Sequence, residues 1–481
     1  MDPRTARLAC GPALLLTAWM ANGLGVGFGD ADIHAVLADP SAFPRDLLTL
    51  AERHPSVLWP AVRAGAGASW VAAAICLLAT GWSAGALAAE LAPRRPASWI
   101  AAAATAGVSW GALGGAPTID PVFVPRLAAL PIELAAIVLA LRGRWPLAFT
   151  VAGATLCVHA PSGVATCLLV GGVWWPSRRT AWWAPGMTGL GAGLAIALVG
   201  EFGAASFDPE IWSLVRARLA HHVDPGSWGG WTWGQGALWS GAALLLAPPR
   251  LRGGLGWMLA GAAALGLASL GGSALLVNLE PWQATRFAVL VVAIALPVRL
   301  RGRWRVAPLL LALLLSPERH EDGPLESRQR ALAAWAAEHT APSDLFILPP
   351  HLPPAFRARA QRPVFGTWKD GGEAQFSPPL AREWARRMEA LCACALFAGP
   401  PPPESHPYAR SRALARRLGD GFTSQTVADL TALARAEGAR YLVLDRPVPH
   451  AVDVAGFAVI DLGAPDSERR GGSRLSDPEV R

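Results

Sequence analysis

Charged residues are scarce in this chain of 481 residues. Asp, Glu, Lys and Arg make up only 16% of it, whereas 52% of the residues are hydrophobic and the mean hydropathy is +0.32. A soluble protein of this length carries more charge and has fewer apolar runs. The composition therefore argues against a soluble protein and predicts one that is embedded in a membrane.

Lysine is nearly absent, since Lys369 stands alone beside 41 arginines. We attribute this imbalance, with the heavy use of Ala, Gly and Pro, to coding bias. The net charge of +7 would suit a nucleic-acid partner. However, the arginines are concentrated in short turns between apolar runs, where membrane topology explains them, so we predict no nucleic-acid binding.

Cysteine is scarce as well, with six residues. Cys76, Cys157 and Cys167 lie in apolar runs and are expected to be packing residues. Cys392 and Cys394 are too close in sequence for easy mutual bridging, and no zinc-binding spacing occurs. The sequence also contains no Walker motif and no Ser-His-Asp nucleophile elbow. Nothing therefore points to zinc, nucleotide-hydrolysing or serine-hydrolase chemistry.

Apolar runs are what the chain has in abundance, and the gaps between them alternate in character. One kind of gap is rich in arginine, as in RGR at 142–144, and the other holds acids and histidines, as in GDADIH at 29–34. Lys and Arg resist translocation, so short basic loops stay in the cytoplasm. We therefore predict a cytoplasmic N-terminus and an outer face that carries the acids and histidines. The predicted spans are 8–28, 67–91, 98–116, 127–141, 146–159, 163–175, 185–203, 235–247, 253–277, 284–298 and 306–316.

The predicted fold is mainly α. A polytopic transmembrane helical bundle of about eleven spans occupies residues 1–316, and a small extracytoplasmic α/β domain follows at 317–463. Two long outer loops, 29–66 and 204–234, interrupt the bundle, and the first is predicted to form short helices along the membrane surface. The polar tail 464–481 is predicted to be disordered.

Local patterns refine this organisation. Residues 146–175 are predicted to form two helices, because both flanks carry paired arginines that belong in the cytoplasm, and Pro161 with Gly163 supplies the turn. Strands of the C-terminal domain are predicted at 344–350, 362–368, 394–399, 440–447 and 457–462. Its helices are predicted at 326–338, 379–391, 408–418 and 424–437.

The first candidate site is the cluster Asp30, Asp32 and His34 at the outer end of the first span. A carboxylate there can accept a proton from a hydroxyl group, or hold a divalent cation such as Mg²⁺ or Mn²⁺. Asp30 and Asp32 are the candidate metal ligands. The alternative is that these residues are simply solvated at the end of a span, and three polar residues within five positions weaken that alternative.

The second candidate site lies in the second long loop, in RARLAHHVD. Arginine binds phosphate through two parallel hydrogen bonds. These arginines face outward against the general trend, so something must offset their placement. A bound phosphate would do so, and so would anionic lipid headgroups or structural pairing. The candidate residues are Arg216, Arg218, His221, His222 and Asp224.

The third candidate site is Glu280 with Arg286 in NLEPWQATR. A basic residue just inside an apolar segment is costly and usually functional, and the alternative is an internal pair of Arg with Glu. Glu133, in the span opened by Arg126, poses the same choice. Supporting positions on the outer face are assigned to His54, Asp120 and His159, and a lone histidine is more often structural.

Three stretches carry a resemblance to known proteins. The first outer loop opens with an acid-then-histidine pattern and continues to a proline-aspartate motif, in GDADIHAVLADPSAFPRD and HPSVLWP. The later outer loop reads RARLAHHVDPGSW. In the C-terminal part the matching residues are Phe356, Arg357, Arg362, Trp368, Lys369, Glu383, Trp384 and Arg387. On these features the chain resembles the GT-C class of multi-pass membrane glycosyltransferases, and most closely an uncharacterised bacterial family with that architecture.

The resemblance implies an integral protein of the bacterial inner membrane that transfers a sugar from a polyprenyl-phosphate donor on the outer face. A first-loop Asp is the catalytic base or metal ligand in that class, and here this role falls on Asp30 or Asp32. The expected partners are membrane lipids and the lipid-linked donor. Its phosphate would be held by Arg216, Arg218, His221, His222 and Arg286.

The alternative function is non-catalytic: a membrane scaffold, or a lipid- or glycan-binding protein of envelope assembly. Ionisable residues lie mostly at span ends, not at the membrane midplane, which disfavours a transporter. A separation beyond about 15 Å between the first-loop acids and the arginines would favour the scaffold, because one transferred group could not bridge it.

Overall fold

The chain divides into two compact units. Unit 1 consists of Met1–Gly27, Arg53–Glu321 and Pro401–Ser411, and unit 2 consists of Phe28–Glu52, Asp322–Pro400 and Arg412–Arg481. Each unit is thus assembled from segments that are distant in sequence. The computed structural model describes all residues except 23–34, 37–38, 51–65, 111–112, 114–117, 120–123, 179–182, 189–207, 316–323, 353–354, 376, 399–406 and 464–481.

Unit 1 is built from helices around a core of mainly Ala, Leu and Val side chains. The first helix packs on the second and third, and the eleventh packs on the third and eighth. The helices are α1 (Pro3–Asn22), α2 (Ala66–Leu91), α3 (Pro96–Ala106), α4 (Pro125–Leu141), α5 (Trp145–Val158), α6 (Ala160–Trp174), α7 (Pro209–Val223), α8 (Gly230–Leu246), α9 (Pro249–Ser269), α10 (Ala274–Asn278), α11 (Thr285–Arg299) and α12 (Ala307–Leu315).

Small residues let these helices approach closely. A Cβ added to Gly81 or Gly85 of α2 would come within 2.5 Å of atoms of Cys10 in α1. Gly172 of α6 lies against Gly254 of α9, whose Cα would be 2.8 Å from such a Cβ. Small residues at helix contacts are typical of membrane bundles. The abundant glycine therefore has a packing role, whatever its origin in coding bias.

Among the described residues, three helical segments are long and apolar enough to cross a membrane: Val71–Leu91, Pro249–Ser269 and Leu276–Arg299. Trp145–Val158 is a shorter apolar helix. These segments are compatible with a membrane protein. The count of eleven spans is not confirmed, because several described helices, such as α3 with 11 residues, are shorter than the roughly 20 residues that a crossing needs.

The predicted break within 146–175 is confirmed, but the prediction that Pro161 and Gly163 supply the turn is wrong, because both lie inside the second helix. α5 ends at Val158, α6 begins at Ala160, and His159 between them is extended, with φ −154° and ψ 101°. Pro161 sits in the first turn of α6, where its missing N–H costs no helical hydrogen bond. The two helices pack against each other.

Two arginines tie helix ends together in unit 1. Arg95 donates to the carbonyl of Val298 at 2.9 Å, and Arg299 donates to the carbonyl of Leu246 at 2.9 Å. All four residues lie at or beside helix ends that the sequence predicts to be cytoplasmic. These contacts therefore gather ends that the basic loops assign to one side.

Unit 2 combines helices with a four-stranded sheet of order β1-β2-β4-β3. β2 pairs in parallel with β1 and antiparallel with β4, which also pairs antiparallel with β3. Phe346, Tyr441 and Phe457 pack from the sheet into a core shared with the first helix of the unit. The elements are α13 (Pro324–His339), β1 (Phe346–Ile347), α14 (Phe356–Ala360), α15 (Pro378–Cys392), α16 (Pro407–Ser424), α17 (Val427–Ala436), β2 (Tyr441–Leu444), β3 (Val452–Val454) and β4 (Phe457–Asp461). The start of α16, up to Ser411, belongs to unit 1.

The four long helices of this region agree with the prediction, but the sheet agrees only in part. The predictions that contain real strands are 344–350, 440–447 and 457–462. Those at 362–368 and 394–399 are wrong: Val364 makes one isolated bridge to Phe346, and 394–399 forms no strand in its described residues. Apolar side chains there are buried from irregular backbone, because a short apolar run signals burial more reliably than strand conformation. The largely exposed β3 was not predicted.

A buried ion network joins first-loop and C-terminal residues within unit 2. Arg357 donates from Nε to Asp46 at 2.7 Å and from both terminal nitrogens to Asp370 at 2.9 Å. None of the three side chains is more than 1% exposed. Asp46 also accepts the backbone N–H groups of Leu48 and Val364. Burial raises the pKa of Asp46, and the Arg357 guanidinium opposes that rise. A network satisfied in this way fixes the local structure.

Short helices occur in the described part of the first loop. Leu47–Leu50 forms a 3₁₀ helix in which Leu47 and Leu48 are buried, whereas Leu50 is 42% exposed. The Ser377 hydroxyl donates to the Leu50 carbonyl at 2.9 Å. The predicted short helices are thus present at 40–42 and 47–50, and their position along the membrane surface stays a prediction.

Cys392 and Cys394 form a disulfide, so the expectation that they stay unbridged is also wrong. α15 ends at Cys392, and Ala393 adopts a left-handed conformation with φ 49°. This turn brings the two cysteine Cα atoms to 5.1 Å, within the range for a disulfide. Sequence spacing could not reveal the turn, because alanine rarely adopts it.

Candidate functional site

A buried polar cluster in unit 1 joins the predicted outer ends of α6 and α11 to the middle of α4. Arg286, in the first turn of α11, forms a salt bridge with Glu133 of α4 and donates to the Ser162 hydroxyl of α6 at 2.6 Å. The Arg286 and Glu133 side chains are 4% and 0% exposed. Charges buried this deeply must be paired, and inside a membrane bundle they usually mark a functional region.

His159 extends this cluster from the break between α5 and α6. As the N-cap of α6, it accepts the backbone N–H of Ser162 on Nδ1 at 3.3 Å, and Nδ1 lies 2.6 Å from the Ser162 hydroxyl oxygen. Because Nδ1 accepts this N–H, the geometry assigns the ring proton to Nε2 and makes the Ser162 hydroxyl the donor. A hydrogen-bonded chain thus runs from Arg286 through Ser162 to His159.

A second arginine lies beside the cluster. Arg126 donates to the Gln283 side chain at 3.2 Å, and Gln283 donates to the Glu280 carboxylate. Arg126 is close enough to Glu133 and His159 to act on both electrostatically. Glu280 is held in the left-handed region, with φ 40° and ψ 53°, which is rare for a residue other than glycine and is often found at functional sites.

The second cluster surrounds Asp224, at the end of α7. Arg216 donates to one Asp224 oxygen from Nε at 3.2 Å and from Nη2 at 3.0 Å, and Arg410 donates to the same oxygen at 3.3 Å. The side chain of Asp224 is 4% exposed, whereas that of Arg216 is 45% exposed. Burial lowers the pKa of Arg410, and Asp224 opposes that change. Arg216 is therefore paired with a carboxylate of the protein, which is one of the alternatives that the sequence left open.

The remaining α7 residues lie close by. Arg218 and His221 are buried, and the rings of His221 and His222 have their centroids 4.0 Å apart. Leu219 departs from helical geometry, with φ −113° and ψ 26°. The Trp228 indole donates to the Ala220 carbonyl at 3.0 Å, so it satisfies a carbonyl near this kink.

The structure thus distributes the predicted site residues over two clusters. The first contains Arg286, His159 and Glu280. The second contains Arg216, Arg218, His221, His222 and Asp224. Asp30, Asp32, His34, His54 and Asp120 lie outside the described residues. Within the described part of the chain, no group of three His, Cys, Asp or Glu side chains is arranged to hold a metal ion.

The sequence did not indicate Ser162, Gln283 or Arg410 as site residues. Ser162 lies in the same HAPSG turn as His159, and Gln283 lies three residues before Arg286, so local spacing was a usable signal for both. Arg410 is 186 residues from Asp224. No local pattern connects such distant residues.

A family model matches one segment of the chain. Residues 328–391 match a family described as a domain of unknown function, DUF6798. The matched segment runs from α13 into α15 and includes Arg357 and Asp370 of the buried ion network. It lies in unit 2, outside both polar clusters of unit 1, and it assigns no activity. No curated protein matches the chain.

Proposed function

We propose that the protein is a GT-C-type membrane glycosyltransferase that takes its sugar from a polyprenyl-phosphate donor on the outer face of the bacterial inner membrane. The observation that carries this proposal is the buried cluster of Arg286, Glu133, Ser162 and His159, with Arg126 beside it. It joins the middle of α4 to the predicted outer ends of α6 and α11. A lipid-linked donor would present its phosphate near that depth of the membrane.

The two arginines suit a leaving phosphate. Negative charge grows on the phosphate oxygen as its bond to the sugar breaks, and a guanidinium that is already in place stabilises this charge. Glu133 and Ser162 fix the orientation of Arg286. Arg126 is half-buried and supplies a second positive charge. Arg216, Arg218, His221 and His222 remain candidates for contacts to the donor headgroup.

The acceptor side of the reaction is assigned to Asp30 or Asp32. Either carboxylate would accept the proton of the acceptor hydroxyl. At the same time the hydroxyl oxygen would bond to the anomeric carbon, and the bond from that carbon to the phosphate oxygen would break. In the alternative role, both carboxylates would bind Mg²⁺ or Mn²⁺, whose charge would neutralise the phosphate.

The proposal is tested with the full-length protein in lipid nanodiscs, a polyprenyl-phosphate sugar donor and a mixture of envelope glycans as acceptors. At least one of the variants Asp30→Asn and Asp32→Asn should abolish transfer or reduce it severely. Arg126→Gln should reduce it about 100-fold, as expected for loss of one stabilising group. Arg417→Gln, an exposed arginine on α16, is the control and should transfer normally. Full transfer by both Asp variants would overturn the assignment.

A non-catalytic scaffold, or a lipid- or glycan-binding protein of envelope assembly, is the second candidate. It is favoured by the fact that Arg286 and Arg216 already have carboxylate partners in Glu133 and Asp224. Neither arginine therefore needs a ligand to neutralise it. In the same nanodiscs, binding of polyprenyl phosphate without sugar transfer would select this candidate.

The disulfide supports the proposed placement of unit 2 outside the cytoplasm. Disulfides persist in oxidising compartments such as the bacterial periplasm and are rare in the cytoplasm. The bridge between Cys392 and Cys394 lies in unit 2. The arginine-rich loops independently favour a cytoplasmic N-terminus and an extracytoplasmic C-terminal domain.

A further inference from the structure

A cavity of about 470 Å³ opens in unit 2 at the end of the sheet where β1 and β2 begin and β4 ends. Its volume is in the range of small-molecule sites. Three arginines line it, Arg45, Arg435 and Arg440, together with Asp344. Neither polar cluster of unit 1 contributes a residue to this cavity. None of the candidate site residues predicted from the sequence lines it.

The three arginines come from three separate segments of the chain. Arg45 lies in the first loop in a left-handed conformation, with φ 67°. Arg435 is in the last turn of α17, and Arg440 directly precedes β2. A residue other than glycine in the left-handed region is costly and is often found at functional sites.

Two glycines make room for the guanidinium groups. A Cβ on Gly438 would lie 3.3 Å from a terminal nitrogen of Arg45, and a Cβ on Gly463 would overlap the Arg440 guanidinium at 1.3 Å. Gly438 also has φ 69°, which disfavours other residues. A side chain at position 463 would therefore displace the Arg440 guanidinium, whereas one at position 438 would require Arg45 to shift only slightly.

The charged side chains that line the cavity differ in their hydrogen-bond and ion-pair partners. Arg440 is paired with Asp461, at 2.8 Å and 2.9 Å, and Arg45 donates to a backbone carbonyl at 3.3 Å. Within the described chain, no ion pair or hydrogen bond engages the exposed side chain of Arg435. Asp344 accepts a backbone N–H on one carboxylate oxygen at 2.7 Å. The lining thus carries three positive groups and one negative group, with Arg435 available to a ligand.

We propose that this cavity binds an anionic saccharide, a sugar that bears a phosphate or a carboxylate. The anionic group is held by Arg435 and Arg45, since guanidinium groups bind such oxyanions through charge-assisted hydrogen bonds. A sugar hydroxyl donates to the second carboxylate oxygen of Asp344. A simple anion would leave this oxygen without a hydrogen bond and would be repelled by the carboxylate. That this saccharide is the acceptor of the transfer rests on the proposed function, whereas its binding concerns unit 2 alone.

Isothermal titration calorimetry on the full-length protein, in nanodiscs of zwitterionic lipid, tests the binding. The probes are glucose 6-phosphate, glucuronate, inorganic phosphate and methyl glucoside. We expect at least one of the two anionic sugars to bind more tightly than inorganic phosphate, and methyl glucoside to give no signal. The sugar that binds identifies whether the anionic group is a phosphate or a carboxylate. Equal binding of methyl glucoside, or binding of neither anionic sugar, would overturn the proposal.

Two variants assign the binding to this cavity. Arg435→Gln should weaken anionic-sugar binding about tenfold, whereas Arg417→Gln, which removes an arginine that is also exposed but lies outside the cavity, should not. Asp344→Asn should strengthen inorganic phosphate binding and narrow the preference for the sugar. Equal effects of Arg435→Gln and Arg417→Gln would refute the assignment.

The assay contains no donor, so its outcome is separate from that of the transfer experiment. Anionic-sugar binding without any transfer activity would refute the proposed function and leave this inference standing. Transfer activity without anionic-sugar binding would refute this inference and leave the proposed function standing.

Discussion

Glu383 shows how a single residue organises part of unit 2. It accepts hydrogen bonds from Arg386 and Arg387, three and four positions later on α15, and these hold its pKa down to about 2, with the Arg386 hydrogen bonds as the largest cause. Arg386 also pairs with Glu437, at 2.6 Å. Helical spacing makes the first two contacts predictable from sequence. The third joins residues 51 positions apart, and no local pattern reveals it.

Replacing Glu383 should change the acid stability of the protein. The pKa lies below the ordinary value of 4.5, so the carboxylate stabilises the fold above about pH 4.5 and this contribution is lost as the pH falls towards 2. Glu383→Gln should lower the free energy of unfolding by about 1–3 kcal/mol at pH 7. The difference from the unaltered protein should shrink below pH 4.5, as followed by chemical denaturation. Asp420→Asn, at an exposed position, is the control. A difference that does not vary with pH would contradict this account.

A second prediction at the residue scale concerns the buried ion pair of Arg286 with Glu133. Glu133→Gln leaves a guanidinium buried without its carboxylate and should cost about 3–5 kcal/mol. The double variant Glu133→Leu with Arg286→Met removes both charges and should recover most of that loss, as measured by thermal unfolding in detergent. The enzyme proposal expects this stable double variant to transfer no sugar. Unchanged stability of Glu133→Gln would show that the pair does not matter structurally.

At the scale of elements, helices were more predictable than strands. The break at His159 followed from charge, because one long helix would have placed a pair of arginines on the wrong side. The apolar runs at 362–368 and 394–399 were read as strands, yet they pack from irregular backbone. Burial leaves a mark in the sequence, whereas the backbone conformation that achieves it depends on contacts with distant residues.

Two glycines of α6 provide a matched test of the contact with α5. A Cβ on Gly163 would lie 2.6 Å from backbone atoms of Leu156, whereas a Cβ on Gly171 would meet nothing within 4 Å. Gly163→Ala should therefore lower the melting temperature, because the hairpin must open to admit the methyl group. Gly171→Ala should raise stability by up to about 1 kcal/mol, since alanine favours helix over glycine. The same effect from both substitutions would argue against the close contact.

At the scale of the whole molecule, the sequence predicted at which end of the helices Arg286 and His159 lie, but not which side chains they contact. The alternation of basic and acidic loops located Arg286 and His159 at one end of the helices of unit 1. Glu133, in contrast, is 153 residues from Arg286 along the chain. Which arginine a buried acid meets depends on helix packing, and one sequence read by periodicity does not specify packing partners.

The orientation of the whole chain is open to a direct test. Alkaline phosphatase fused after Leu462 should be active in bacterial cells, because unit 2 is proposed to be extracytoplasmic, and a fusion after Arg252 should be inactive. With the four free cysteines replaced by alanine, Cys392 and Cys394 should react with a maleimide only after reduction. An inactive fusion after Leu462, with cysteines that react without reduction, would place unit 2 in the cytoplasm.

The contact between Asp46 and Arg357 has a consequence for biogenesis. The two residues are 311 positions apart, so at roughly 5–20 residues per second the ribosome makes Arg357 about 15–60 s after Asp46. Throughout that interval the early segment has been synthesised without the guanidinium that later neutralises its carboxylate. Unit 2 must therefore be completed late in synthesis, by capture of a segment made near the beginning. A chain released before Arg357 would expose Asp46, Leu47 and Leu48 to the quality-control proteases of the cell.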